Sequence, residues 1–213
     1  MNKDLRIAIS GTFATGKTTL AVALEQLTTI PMVSVKSMEE VTSLHFPGKT
    51  IEQCSPYEYY QICIYRFLEQ VMSENRVQGN FIVDGTLIES YIYGLVKLNS
   101  LNYTPFSFNL FANNLEIITH KNLYENFYKS FGNVFKEYCR RNYHSFIHLP
   151  VESPASQENY HYYSNKVRKT CDEMIISALE EIGIKYYIIT GSTEERLKKI
   201  MKIYSLKPKD QLL

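Results

Sequence analysis

Tryptophan is absent from this 213-residue chain, glycine and proline number only 9 and 7, and cysteine stops at 4. So little glycine and proline excludes collagen-like and low-complexity chains, in which they fill roughly a quarter of positions or more. Cys54, Cys63, Cys139 and Cys171 form no C-x-x-C pair and have no histidine at zinc-ligand spacing, so buried free thiols are expected rather than a metal cluster. An excess of either charge is lacking too. Lys+Arg 23 against Asp+Glu 22 leaves +1, so no bulk field exists to hold nucleic acid or anionic lipid. No apolar run approaches the ~20 residues that span a bilayer. Met1-Asn2-Lys3-Asp4 leads straight into a short apolar strand rather than a signal peptide. The expectation is a cytoplasmic protein with no nucleic-acid or membrane partner.

What is present is ordinary globular composition, 45% hydrophobic and 21% charged, with 17 Tyr and 11 Phe to fill a core or line a pocket. The length suits one domain, taken as residues 1–206 with a flexible tail at 207–213. Leu5 to Ser10 reads as a strand, and Leu20, Ala23, Leu24 and Leu27 then recur at helical spacing. Met32 to Val35 is a second strand, followed by a polar stretch around Pro47-Gly48 expected to be irregular and to face ligand. Ser55-Pro56-Tyr57-Glu58 is a capping box that opens a helix striped by Tyr60, Ile64, Phe67, Leu68 and Val71.

Phe81-Ile82-Val83-Asp84 reads as a buried strand, with helices to follow from Leu87 to Val96 and from Leu115 to Arg141. Tyr143 to Leu149 is the fourth strand and Ile184 to Thr190 the fifth. Between them lie an unpatterned polar lid at about 151–167 and an amphipathic helix from Val167 to Ile182, closed by Gly183. Ser192-Thr193-Glu194-Glu195 is a second capping box, opening a last helix. Such alternation predicts an α/β fold, a five-stranded parallel sheet flanked by helices, with ligands at the carboxyl ends of the strands.

Gly11-Thr12-Phe13-Ala14-Thr15-Gly16-Lys17-Thr18 matches G-x-x-x-x-G-K-[ST] and sits between a strand and a helix, as a phosphate loop must. Gly11 and Gly16 let the backbone curl so that the N–H groups of Thr12, Ala14, Thr15 and their neighbours turn toward phosphate oxygens. Lys17 reaches the outer phosphates, Thr18 offers a hydroxyl to magnesium, and Thr19 adds a hydrogen bond to the α-phosphate. Asp84, at the end of its strand, is placed to serve magnesium or an attacking hydroxyl, although an aspartate before a helix also serves as a cap. Arg168 follows the lid, where a cation can swing onto a transferring phosphoryl group.

Other candidates carry weaker signals. Glu39 and Glu40 are alternatives for an acceptor-side base, and Tyr57, Tyr60, Arg66, Tyr91 and Tyr93 flank the Asp84 strand where an acceptor would bind, though packing explains most of them equally. Arg140 and Arg141 belong to a helix C-terminus. His144 and His148, about 13 Å apart on a strand, are packing residues rather than a chelating pair.

The phosphate loop, Asp84, and the segment from Val167-Arg168 through Leu179-Glu180-Glu181-Ile182-Gly183-Ile184 together resemble the P-loop ATPase and kinase domains related to NadR-type nicotinamide-riboside kinases. More distantly they are similar to thymidylate and deoxynucleoside kinases. The resemblance covers nearly the whole chain. It implies ATP and magnesium as cofactors, a small-molecule acceptor, Arg168 as the lid arginine, and Gly191, Ser192 and Thr193 beside the adenine. It departs at Asp84-Gly85, where related kinases commonly carry Asp-Arg: either the acceptor lacks the phosphate that such an arginine binds, or another cation such as Arg66 replaces it. A nucleotide hydrolase or switch acting on a protein partner, and a catalytically idle binding module, are the rival readings. Asn165-Lys166-Val167-Arg168 lacks the aspartate of a guanine-reading motif, so ATP is the expected donor. A homodimer is compatible with the sequence.

Overall fold

The computed structural model describes residues 4–100, 115–152 and 165–209. Arg6–Ser10 forms β1, in which alternate residues serve opposite faces of a sheet: Ala8 joins one apolar cluster while Ile7 and Ile9 join another. Helix α1 (Lys17–Leu27), β2 (Met32–Val33), α2 (Met38–His45), a 3-10 turn at Ile51–Gln53, and α3 (Pro56–Asn75) follow. Beyond them come β3 (Phe81–Asp84), α4 (Leu87–Ser100), α5 (Leu115–Asn142), β4 (Ser145–His148), α6 (Asn165–Ile182), β5 (Tyr186–Ile188) and α7 (Thr193–Ile203). The five strands pair in parallel in the order β2-β3-β1-β4-β5, as the alternating pattern predicts.

Both faces of the sheet are covered. Leu20, Ala21 and Leu24 of α1 and Ile200 of α7 pack under Ile7, Ile9, Ile82 and Ile147. Ile88 and Ile92 of α4, Phe135 of α5 and Cys171 and Ile175 of α6 pack on Ala8, Val83 and Phe146. Each such fully buried aliphatic side chain contributes roughly 1.5–3 kcal/mol relative to exposure, which anchors the carboxyl edge of the sheet between two helical layers. All four cysteines are buried.

Register decides what meets at that edge. Ile9 lies opposite Asp84 and Ser10 opposite His148, so the start of the phosphate loop and the ends of β3 and β4 come together. The stretch expected to be irregular after β2 contains α2. Ser37 caps it, its Oγ accepting from the Glu40 N–H at 3.1 Å while the Glu40 carboxylate accepts from the Ser37 N–H at 2.7 Å, and Val41 is buried. The lid expected at about 151–167 falls mainly on 153–164, outside the described residues, whereas 165–167 form the first turn of α6. Of the expected tail, 210–213 also lie outside the described residues.

Candidate active site at the phosphate loop

Gly11 leaves β1 at φ 144°, and a Cβ there would stand 2.5 Å from the Leu149 carbonyl oxygen and 2.9 Å from Thr15 Oγ1, so only glycine lets the loop pass. Gly16 precedes α1 without any side-chain cap, and the first turn carries no acidic residue. The N–H groups there are free for an anion, with the helix dipole aligned to favour one. Lys17 Nζ donates to the Thr12 carbonyl at 2.9 Å, as Thr15 Oγ1 does at 2.9 Å, so the lysine lies back across its own loop. Burial pushes the Lys17 ammonium below its usual range, with Glu89 and Asp84 acting in the other direction.

Thr18 Oγ1 donates to Asp84 Oδ2 at 2.5 Å, and Asp84 Oδ1 is buried with no hydrogen-bond partner. An orphaned carboxylate oxygen beside a hydroxyl fits magnesium, which takes one or two protein ligands and fills its shell with water and phosphate oxygens. The described residues hold no group of three or more His, Cys, Asp or Glu able to hold a metal ion. Asp84 is followed by Gly85 at φ 73°, a left-handed conformation that an arginine would adopt only with strain. The departure from Asp-Arg thus has a backbone reason.

Glu89 was not among the expected site residues. Its Oε1 accepts from the Gly11 N–H at 3.3 Å, and its Oε2 accepts from the Thr86 N–H and hydroxyl at 2.7 and 2.5 Å. It thereby ties the start of α4 to the start of the phosphate loop. Burial drives its carboxyl above the usual range, and Lys17 offsets part of that shift. The signal was present in the sequence, since Thr86-Leu87-Ile88-Glu89 is a capping box.

Arg168 is 1% exposed. Its Nε donates to the Phe13 carbonyl at 3.0 Å and its Nη2 lies 3.5 Å from the Ala14 carbonyl, while Nη1 donates to Asn165 Oδ1 at 3.2 Å. Arg196, also unexpected, donates from Nη1 to the Thr15 carbonyl at 2.7 Å and pairs with Glu152 through Nη2. Two arginines from α6 and α7 therefore hold three successive loop carbonyls, including that of Ala14, whose φ of 57° is left-handed. With the carbonyls turned back, the N–H groups are left for phosphate. Four residues beyond Arg168, Asp172 accepts from the Val151 N–H and meets His148 Nε2 at 3.1 Å, and His148 Nδ1 meets Ser10 Oγ at 3.1 Å. His148 is a buried link between β1 and α6, in keeping with its reading as a packing residue.

A cavity of about 730 Å³ opens beside the loop. Ala14, Thr15, Gly16, Lys17, Thr18, Thr19 and Asp84 line it; Arg168, Ser192 and Thr193 do not. Ser192 Oγ is engaged in capping α7, accepting from the Glu195 N–H at 3.3 Å, and Gly191 donates its N–H to Glu152 at 2.9 Å. Of the acceptor-side candidates, Arg66 and Tyr93 reach the cavity, where the Tyr93 ring stacks 4.2 Å from Phe13. Tyr57 is 47% exposed, whereas Tyr60 and Tyr91 pack against the core. Glu39 lines the cavity, while Glu40 is held in its cap. Tyr59 of α3 also lines it, a contact missed in favour of its neighbours.

Fold and loop together define an α/β protein with a P-loop at the carboxyl edge of a parallel sheet. The chain belongs to an AAA domain family, whose sequence model matches residues 6–196. No curated protein matches the sequence significantly. Among solved structures, a deoxyadenosine kinase from M. mycoides with bound dATP is similar at 13% identity, covering 94% of this chain and 100% of that one with a TM-score of 0.61. A NadR protein in complex with NAD and AMP-PNP is similar at 14% identity and a TM-score of 0.55, covering 96% of this chain and 50% of that one. Thymidylate kinase from Candida albicans is similar at 13% identity and a TM-score of 0.53, covering 95% of this chain and 92% of that one. Likeness at such low identity establishes the shared fold. Among the described residues, no helix is long and apolar enough to cross a membrane.

Proposed function

We propose that the protein is an ATP- and magnesium-dependent phosphotransferase acting on a nucleoside, a nucleotide or a similar small metabolite. The observation that carries the reading is the extent of the cavity: it continues from the phosphate loop to Met38 and Glu39 of α2, Tyr59 and Arg66 of α3 and Ser90 of α4. Hydrolysis needs room for a water molecule, whereas this space admits a second substrate. In the proposed reaction an acceptor hydroxyl oxygen bonds to the γ-phosphorus of ATP while the bond to the β-phosphate oxygen breaks, releasing ADP. The hydroxyl proton passes to a carboxylate on the cavity wall, Asp84 or Glu39.

Thr18 and Asp84 would hold magnesium, which when bound neutralises charge on the phosphate oxygens. Lys17 leaves the Thr12 carbonyl to meet the outer phosphates, and the loop N–H groups bind the oxygens beside it. Arg168 and Arg196 keep that loop in its binding shape. The test is ADP formation with and without nucleosides, nucleotides and sugars, with the phosphorylated product identified by mass. Stimulation by one acceptor supports the kinase; ATP consumption indifferent to every acceptor and yielding free phosphate favours the hydrolase.

A further inference from the structure

Arg66 is a buried cation at this cavity whose charge no carboxylate among the described residues neutralises by contact. It is 7% exposed and lines the cavity from α3. Its one hydrogen bond among the described residues runs from Nη1 to Gln70 Oε1 at 3.1 Å, a neutral amide. Among the described residues the other guanidinium nitrogens have no hydrogen-bond partner, and the side chain lines the cavity. The nearby carboxylates act on it through space only, and each has partners of its own. Asp84 bonds to Thr18, Glu89 to Gly11 and Thr86, and Glu74 to Gln70, Tyr138 and Tyr143.

A guanidinium cannot shed its proton, and a buried charge without a paired anion is costly. The direction of this one is nevertheless fixed. Arg66, Gln70 and Glu74 succeed one another at four-residue spacing on α3, with Gln70 Nε2 donating to Glu74 and meeting Tyr143 Oη, both at 2.8 Å. Tyr138 Oη donates to the second Glu74 oxygen at 2.7 Å. A side chain braced in this way and left with free N–H groups at a ligand cavity is prepared for a group with two oxygens in one plane.

We propose that Arg66 binds an anionic group of the acceptor, so that the molecule phosphorylated already carries a phosphate or a carboxylate. Lys17 and the loop N–H groups serve the ATP phosphates, and Arg66 serves the second substrate. The inference rests on the kinase reading of the same cavity, and it narrows the acceptor class to molecules such as nucleoside monophosphates.

The experiment compares each nucleoside with its 5′-monophosphate and its 5′-carboxylate, measuring both ADP formation and equilibrium binding to the wild-type protein. The expected result is an anionic member with a KM about 100-fold below that of the neutral nucleoside, the size that pairing a buried charge supplies. Phosphate and carboxylate are separated by which of the two is used. Arg66→Gln should raise that KM by about 100-fold while leaving the Kd for ATP within about two-fold, and Arg66→Lys should recover part of the loss. Neutral nucleosides used as well as monophosphates, or an Arg66→Gln variant that binds ATP and keeps its acceptor KM, would overturn the proposal with the kinase reading intact. If no acceptor raises ADP formation, the kinase reading fails instead. Binding then decides for Arg66: preference for the monophosphate over the nucleoside, lost in Arg66→Gln, supports the anion site, and equal binding refutes it.

Discussion

The two ends of the cavity are built differently. The phosphate end is one continuous stretch of backbone, Gly11 to Thr18, whose groups are oriented by glycine conformation, a helix N-terminus and two arginines behind it. The other end, where we propose that the acceptor binds, is assembled from side chains of α2, α3, α4 and the 3-10 turn, which are far apart in sequence. A backbone cradle recognises any polyphosphate, since its donors are the same whatever residue bears them. An acceptor pocket of scattered side chains is where specificity is set.

The largest expected effect tests the phosphate end directly. Lys17→Ala should lower turnover by about 10³-fold or more, because it removes the mobile charge for the outer phosphates. Thermal melting should be nearly unchanged, since the lysine's one bond is to its own loop. Turnover at the wild-type rate would remove Lys17 from the chemistry.

Arg168 comes next and sharpens the contrast between cradle and clamp. An arginine meeting the γ-phosphoryl group only in the transition state would lower kcat and leave ATP binding alone. The observed bonds to the Phe13 and Ala14 carbonyls predict another outcome for Arg168→Ala, a loss of about 100-fold in kcat/KM shared between weaker ATP binding and slower turnover. Arg168→Lys should recover only part of it, lacking the planar fork. Steady-state kinetics with ATP titrations distinguishes the two.

Glu89→Gln should produce a smaller change, about 10-fold in turnover, by loosening the tie between Gly11 and Thr86. Its stability readout has a definite sign. Burial raises the Glu89 carboxyl above its ordinary 4.5 in the folded protein. The associated stability is therefore fully present below the unfolded-state pKa and is lost as pH rises through the folded one. Glutamine has no such titration, so melting temperatures of the variant should fall less than those of the wild type between pH 4 and pH 8. Parallel curves would show that Glu89 titrates normally.

The smallest effect is expected at Ser192. Its hydroxyl caps α7, so Ser192→Ala should cost about 1 kcal/mol of stability, read from denaturant unfolding. The KM for ATP should shift less than about two-fold. A large change in ATP binding would place the Ser192 side chain in the nucleotide site.

Legibility in the sequence followed the same division. The strand and helix order, and the loop itself, were readable because periodicity and the G-x-x-x-x-G-K-[ST] spacing are local properties. Two capping boxes, at Ser55 and Ser192, were recognised and formed as expected. Further boxes form at Ser37 and Thr50, and Thr86-Leu87-Ile88-Glu89 has the same spacing; Ser37 marks the start of α2, and Thr86 the reach of Glu89 back to the start of its helix. That Tyr93 rather than Tyr91 faces the cavity, and Glu39 rather than Glu40, depends on helix rotation, which residue type does not encode.

By itself the sequence determined the α/β class, the parallel sheet, the phosphate loop, and the carboxylate at the end of β3, because each depends on neighbours along the chain. Only the tertiary structure decided that Arg168 and Arg196 hold loop carbonyls from 150 or more residues away, that Glu89 backs Gly11, and that Arg66 reaches a ligand cavity braced by Gln70 and Glu74. These roles depend on strand order and register and on the angles at which helices cross the sheet. Such features arise from burying two apolar faces at once, a condition on the whole chain that no local window contains.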